Sequence, residues 1–224
     1  MGVRRQGLTA KILIAGVGYR NLCDMSLGPV LVDQLGQDAW PHGVEVEDLS
    51  YGPIGVMHSL DERGPYERII FIAGVRRNRQ PGGVYVYRWG HQLPPAEEVQ
   101  ARVAEAVTGV ISLDNLLIIA TYFGKLPRDV IVIEVEAADE GWGEGFTPDV
   151  EAVIPQVIEK VRYHLTSSGK FQLWEQAAQP KLASHNLLLG QMTSLSPARD
   201  ASRGRTLDDG ENLDRGLWEC ASQR

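Results

Sequence analysis

This sequence predicts an α/β fold: a three-layer sandwich in which a mostly parallel, twisted sheet carries helices on both faces. Two observations lead there. Short apolar runs alternate with amphipathic stretches from residue 11 to about 166, the pattern of strands joined by crossover helices. The hydrophobic share, 43% of 224 residues, is ordinary for a globular chain and sufficient for one domain of about 150 residues plus an appendage.

The elements follow in order. Runs over 12–17, 44–49, 68–73, 84–88 and 130–135 are rich in strand-forming residues and bounded by Gly, Pro or charge, so they read as strands. Segment 26–35 sets Leu27, Val30, Leu31 and Leu35 at helical spacing. Segments 95–107 and 112–123 also read as helices, the second apolar almost all round and therefore buried. Thr147-Pro148 starts a last helix, with Thr as the cap and Pro where its missing N–H is no loss. That helix runs through Ile154 and Ile158 to about Leu165, with Pro155 in its early turns. The spacing of 68–73 and 84–88 allows one antiparallel edge. In such sheets the binding crevice lies beyond the carboxyl ends of the strands. Loops 16–24, 48–55, 74–79 and 134–146 are expected to converge there.

Composition narrows the function. A formal charge of −7 argues against a nucleic-acid surface, which needs clustered Lys and Arg. The compact basic cluster Arg76, Arg77 and Arg79 reads as a solvated loop after a strand. Cys23 and Cys220 build neither a disulfide framework nor a CxxC metal motif, and Cys23 reads as a small buried hydrophobe without a histidine base. No apolar run suits a signal peptide or a membrane span, so a cytoplasmic protein is expected. Residues 1–10 read as a flexible N-terminus and 11–166 as the domain. Residues 167–224 read as a polar tail, expected to be mostly disordered, with apolar knots that include Trp174 and Trp218.

Gly16-Val-Gly18 follows a strand and precedes a helix, the context of a dinucleotide fingerprint. Asn21 stands where the third glycine belongs, and Asp48 lies too far along for the usual acidic partner. Two glycines that let the chain turn sharply above the sheet account for the same residues.

A second likeness is more specific. Gly16-Val-Gly18-Tyr19, then Asn21-Leu-Cys-Asp24-Met25-Ser-Leu-Gly28, a second strand ending in Asp48 with Gly55 in the following turn, Phe123-Gly124-Lys-Leu-Pro127, and Gly145-Phe-Thr-Pro148-Asp-Val150 occur in this order. Together, over roughly residues 10–165, they resemble the hydrogenase maturation protease family, with Tyr19 in place of that family's Asn. The resemblance implies a phosphorylase/hydrolase-like fold. It also implies an endopeptidase that trims the C-terminus of the nickel–iron hydrogenase large-subunit precursor, using a Glu, an Asp and a His that engage nickel already loaded there. In this chain those slots align with Met25, Gly74 and Gly109. A neutral thioether is a soft ligand poorly suited to divalent nickel, and glycine offers no side chain.

The crevice residues expected from sequence are therefore Gly16, Gly18, Asp24, Met25, Asp48, Gly74, Gly109 and Glu134, with no metal, no cofactor and no assigned catalytic residue. Glu134 stands where the family typically has Gly. With Asp24, Asp48, Glu136 and Asp139 it reads as a solvated acidic rim, because no spacing here forms a known cation loop. The expected function is hydrogenase large-subunit maturation by binding the subunit without cleaving it. The alternatives are an endopeptidase with a rearranged site and, third, a nucleotide-binding module.

Overall fold

The apolar runs become the strands of one sheet. A computed structural model describes residues 11–166; segments 1–10 and 167–224, with the expectations made for them, lie outside the described residues. The strands are β1 (Ile12–Val17), β2 (Val44–Asp48), β3 (Arg68–Val75), β4 (Val84–Arg88) and β5 (Asp129–Glu136). They form a five-stranded sheet in the order β2-β1-β3-β5-β4. All neighbours are parallel except β4, which runs antiparallel to β5. β3 is buried along its whole length and β5 nearly so, as befits central strands covered on both faces.

The antiparallel edge exists, but β4 does not form a hairpin with β3. β5 lies between them. An almost wholly apolar strand gains most from a central place, whereas β4, with Tyr85, Tyr87 and an exposed Arg88, tolerates a half-open edge.

Alternation along the strands divides the core. Leu13, Ala15 and Val17 of β1 pack with Val56 and Met57 and with Leu116 and Leu117 on one face. Ile14 packs with Leu31, Leu35, Val157 and Val161 on the other. The helices supplying these residues are α1 (Leu27–Leu35), α2 (Pro53–Arg63), α3 (Ala96–Val107), α4 (Leu113–Tyr122), α5 (Pro148–Glu151) and α6 (Ile154–Thr166).

Three local expectations are corrected. α2 starts within the stretch read as a loop, 48–55, and continues through residues to which the sequence reading assigned no element. It buries Pro53, Val56, Met57 and Leu60, a helical spacing diluted by Gly55, His58 and Ser59. The last helix is broken into α5 and α6 just before Pro155, which has no N–H to continue the ladder. Thr147 precedes α5 without a side-chain capping bond; its hydroxyl donates to Asp24 Oδ2 at 2.8 Å instead.

Candidate functional site

A crevice of about 280 Å³ opens beyond the carboxyl ends of the parallel strands, where such sheets bind ligands. Val17, Gly18, Tyr19, Leu22 and Met25 line one side. Residues 73–77 line the floor, and residues 110–114 and Glu140 complete the rim.

The first wall is backbone packed on backbone. A 3₁₀ turn, Cys23–Ser26, joins β1 to α1 and lies against the strand tips. A Cβ on Gly74 would sit 2.2 Å from the Asp24 carbonyl oxygen, and one on Gly18 would sit 2.2 Å from that of Met25. A Cβ on Gly16 would sit 2.3 Å from the Gly28 carbonyl oxygen. Such separations exclude any side chain, so these glycines are what allow the turn and α1 to close onto β1 and β3. The Gly-x-Gly sequence thus serves packing, as the plainer reading of it required.

Asp24 holds this turn in place from behind. Fully buried, its carboxylate accepts from the N–H groups of Ala138, Asp139 and Thr147 at 2.8, 3.0 and 2.8 Å, besides the Thr147 hydroxyl. Backbone bonds from Cys23 to Gly143 and from Asp24 to Asp139 stitch the same two loops together. Across the crevice, the Ile111 N–H donates to the Tyr19 hydroxyl oxygen at 2.6 Å, tying the α3–α4 loop to the β1 tip. Burial raises the Tyr19 pKa, against the effect of the Ile111 bond.

The second wall is ionic. Arg77 Nε donates to Glu134 Oε1 and Oε2 at 3.1 and 3.0 Å, and Nη2 reaches Oε1 at 2.5 Å. Its Nη1 and Nη2 also form a bidentate pair with Asp114 at 3.1 and 2.8 Å. The Arg77 and Glu134 side chains are 7% and 0% exposed, so this pair is withdrawn from solvent. Arg79 Nη2 donates to Glu134 at 2.8 Å and its Nε to Glu136 at 2.9 Å, while its guanidinium stacks 3.8 Å from the Tyr85 ring centre. The Tyr87 hydroxyl donates to Glu134 at 2.8 Å. Glu136 also accepts from the Arg77 and Arg79 backbone N–H groups. Burial works against the Arg77 charge, but the bonds to Asp114 and Glu134 outweigh it and raise its pKa. Burial and the Glu134 charge raise the Tyr87 pKa as well.

The expected site residues divide accordingly. Gly18, Met25 and Gly74 line the crevice. Gly16 lies behind it against α1. Asp24 is a buried strut, and Glu134 lies beneath Arg77. Asp48 faces away, accepting from Ser50 N–H at 2.9 Å and from Arg20 at 2.7 Å. Gly109, at φ 90°, precedes the lining, which on this stretch begins at Val110. The side chain that this approach sends into the crevice is Asp114, which the sequence reading passed over. The acidic-rim reading is corrected too: Asp24, Glu134 and Glu136 are buried and fully engaged. So is the reading of Arg77 and Arg79 as solvated; among the three, Arg76 is the exposed one. Cys23 is buried, as expected.

These residues do not fit a divalent metal. Met25 offers a neutral sulfur and Gly74 nothing, while the oxygens of Asp114 and Glu134 already hold a guanidinium. Among the described residues, no group of three or more His, Cys, Asp or Glu is placed to hold a metal ion.

Fold and crevice define an α/β protein of the three-layer class, with a crevice at the tips of its parallel strands. No protein-family model matches the chain. It is 27% identical over 161 residues to the hydrogenase 2 maturation protease of Escherichia coli K12, a match spanning 71% of this chain and 93% of that protein. The crystal structure of a hydrogenase 2 maturation peptidase from a Thaumarchaeota archaeon superposes with a TM-score of 0.51 at 26% identity, over 69% of this chain and 97% of that one. The E. coli hydrogenase-maturating endopeptidase HybD gives a TM-score of 0.52 at 26% identity, over 69% and 91%. In both sequence and fold the chain is similar to hydrogenase maturation proteases. Among the described residues, no helix is long and apolar enough to cross a membrane.

Proposed function

We propose that this protein acts in the cytoplasm in the maturation of a nickel–iron hydrogenase large subunit, binding the C-terminal region of the precursor in the crevice without cutting it. One observation carries the reading: Asp114, which lines the crevice, and the buried Glu134 beneath Arg77 are both held by that arginine, and the other lining carboxylate is the exposed Glu140 of the rim. A carboxylate that orients or activates water needs a free oxygen within reach of it. Here both groups accept charge-assisted bonds from a fixed guanidinium, and the slots at Met25 and Gly74 supply no replacement.

Binding has better support. The crevice combines apolar side chains (Leu22, Met25, Val75, Ile111) with a few polar groups, the usual composition of a ligand cleft. Beside it, Trp142 is 76% exposed, one residue before the Gly143 that bridges to Leu22. An exposed Trp at the edge of a cleft is a suitable anchor for a protein partner. Co-purification with the large-subunit precursor tests the proposal. A stable complex is expected with the unmodified protein, weakened by Trp142→Ala and lost when Met25→Trp fills the crevice. No association with the precursor, or equal association of all three proteins, contradicts it.

The second reading, an endopeptidase with a rearranged site, is favoured by the similarity to proteases alone. It would have to release Asp114 or Asp48 from its present arginine partner before either could act.

A further inference from the structure

Arg77 lines the crevice. Its guanidinium is 7% exposed and lies between two carboxylates, from α4 and β5, that have no other reason to approach each other. Glu134 is wholly buried, a position where a carboxylate is costly unless it is paired. Arg79 does not replace Arg77, because its own contacts run to Glu134 Oε2 and Glu136 Oε2 and leave Asp114 untouched.

We infer that Arg77 is the specificity-determining residue of the crevice. Its guanidinium is the resident cation of the Asp114–Glu134 pair, and it bars a divalent ion, free or carried by a partner polypeptide, from the crevice floor. The geometry supports this role over simple charge balance. A planar guanidinium engages both carboxylates in a bidentate manner, and Arg79 takes up the outer Glu134 oxygen as well, so Glu134 is saturated by arginines. A charge tethered to the chain also needs no loading step, so the crevice keeps the same charge and shape whatever the metal supply.

The inference predicts what removal of Arg77 does. Arg77→Met keeps the apolar stem and deletes the charge, leaving Asp114 and Glu134 facing one gap. That variant is expected to be destabilised in chelator and restored by a divalent ion. At a concentration of nickel or manganese about 100 times its Kd, the rise in Tm should be about 5–10 °C. The unmodified chain should not respond through these groups, so Asp114→Asn alone should leave its metal titration unchanged. In Arg77→Met/Asp114→Asn the rescue should disappear, since one of the two carboxylates is gone. The experiment is thermal unfolding and isothermal titration of the full chain and these variants with nickel, manganese or chelator.

Three results overturn the inference. One is Arg77→Met melting at the same temperature with chelator and with dication. The second is Arg77→Met remaining unfolded under both conditions. The third is a dication bound by the unmodified chain and lost in Asp114→Asn. No hydrogenase subunit enters the experiment, so its failure and a failure of the proposed function are separately visible.

Discussion

The wall of the crevice built by residues 16–28 and the wall built around Arg77 both close the strand tips, but with different interactions. In the first, carbonyl oxygens of the turn and of α1 lie where the Cβ atoms of Gly16, Gly18 and Gly74 would be. Nothing larger than hydrogen fits, and adjustment requires moving the backbone. In the second, buried charges answer one another through long side chains, so residues can be exchanged provided that charges are exchanged in pairs. The first wall is fixed by shape and the second by charge balance. This difference determines which substitutions each tolerates.

The comparison breaks most readily at Asp24, which joins the first wall to the 138–147 loop. Asp24→Ala strands three backbone N–H groups and a hydroxyl in the interior. An expected loss of about 4–5 kcal/mol follows from leaving such donors unsatisfied, measured by urea unfolding. Asp24→Asn should recover little, because its NH₂ would face groups that are themselves donors. A loss under about 1 kcal/mol would show that the turn is held by other means.

Gly74→Ala comes next. The added methyl meets the Asp24 carbonyl oxygen, and overpacking against backbone costs about 3 kcal/mol. Gly74→Asp should cost at least as much, so simple restoration of a carboxylate at this slot should not yield a well-folded metal site. An alanine variant as stable as the parent would mean that the turn can lift from β3.

Tyr19→Phe probes the strut across the crevice mouth. It removes the acceptor of the Ile111 N–H, an expected loss of about 1–2 kcal/mol. Faster amide exchange should be confined to residues near Ile111.

The smallest effect concerns pH and lies away from both walls. Burial, then the charge of Arg68, lowers the His164 pKa below its ordinary 6.5. The unfolded chain therefore takes up a proton before the folded one does. The contribution of His164 is fully present above about pH 6.5 and is lost as the pH falls toward its folded pKa. Stability should decline on acidification from pH 7.5 to 5.5, and His164→Gln should shallow that slope. An unchanged slope would assign the decline to other groups.

The strands were legible because each is a bounded apolar run, and the central place of β3 and β5 follows from apolar residues on both faces. α2 was obscured because its buried positions are interrupted by Gly55, His58 and Ser59. The ionic wall was not legible for a different reason. Arg77 sits in a stretch, Arg76 to Gln80, that looks like any solvated loop. Its partners lie 37 and 57 residues away on α4 and β5. No local pattern announces such a meeting, though a Glu inside the apolar run of β5 was a signal that a cation must be near. The likeness to the family reached Met25 and Gly74 through gap-free neighbours. It stopped at Gly109 because the approach to α4 has few anchors, and so it missed Asp114.

Binding without cleavage is the central claim, and intact mass spectrometry tests it most directly. The full-length protein is incubated with nickel-loaded large-subunit precursor, and the precursor mass is followed over time. The account predicts a complex in which the precursor keeps its full mass. Removal of a C-terminal peptide by the unmodified protein, abolished by Asp114→Asn or Asp48→Ala, would contradict it and establish a working protease site.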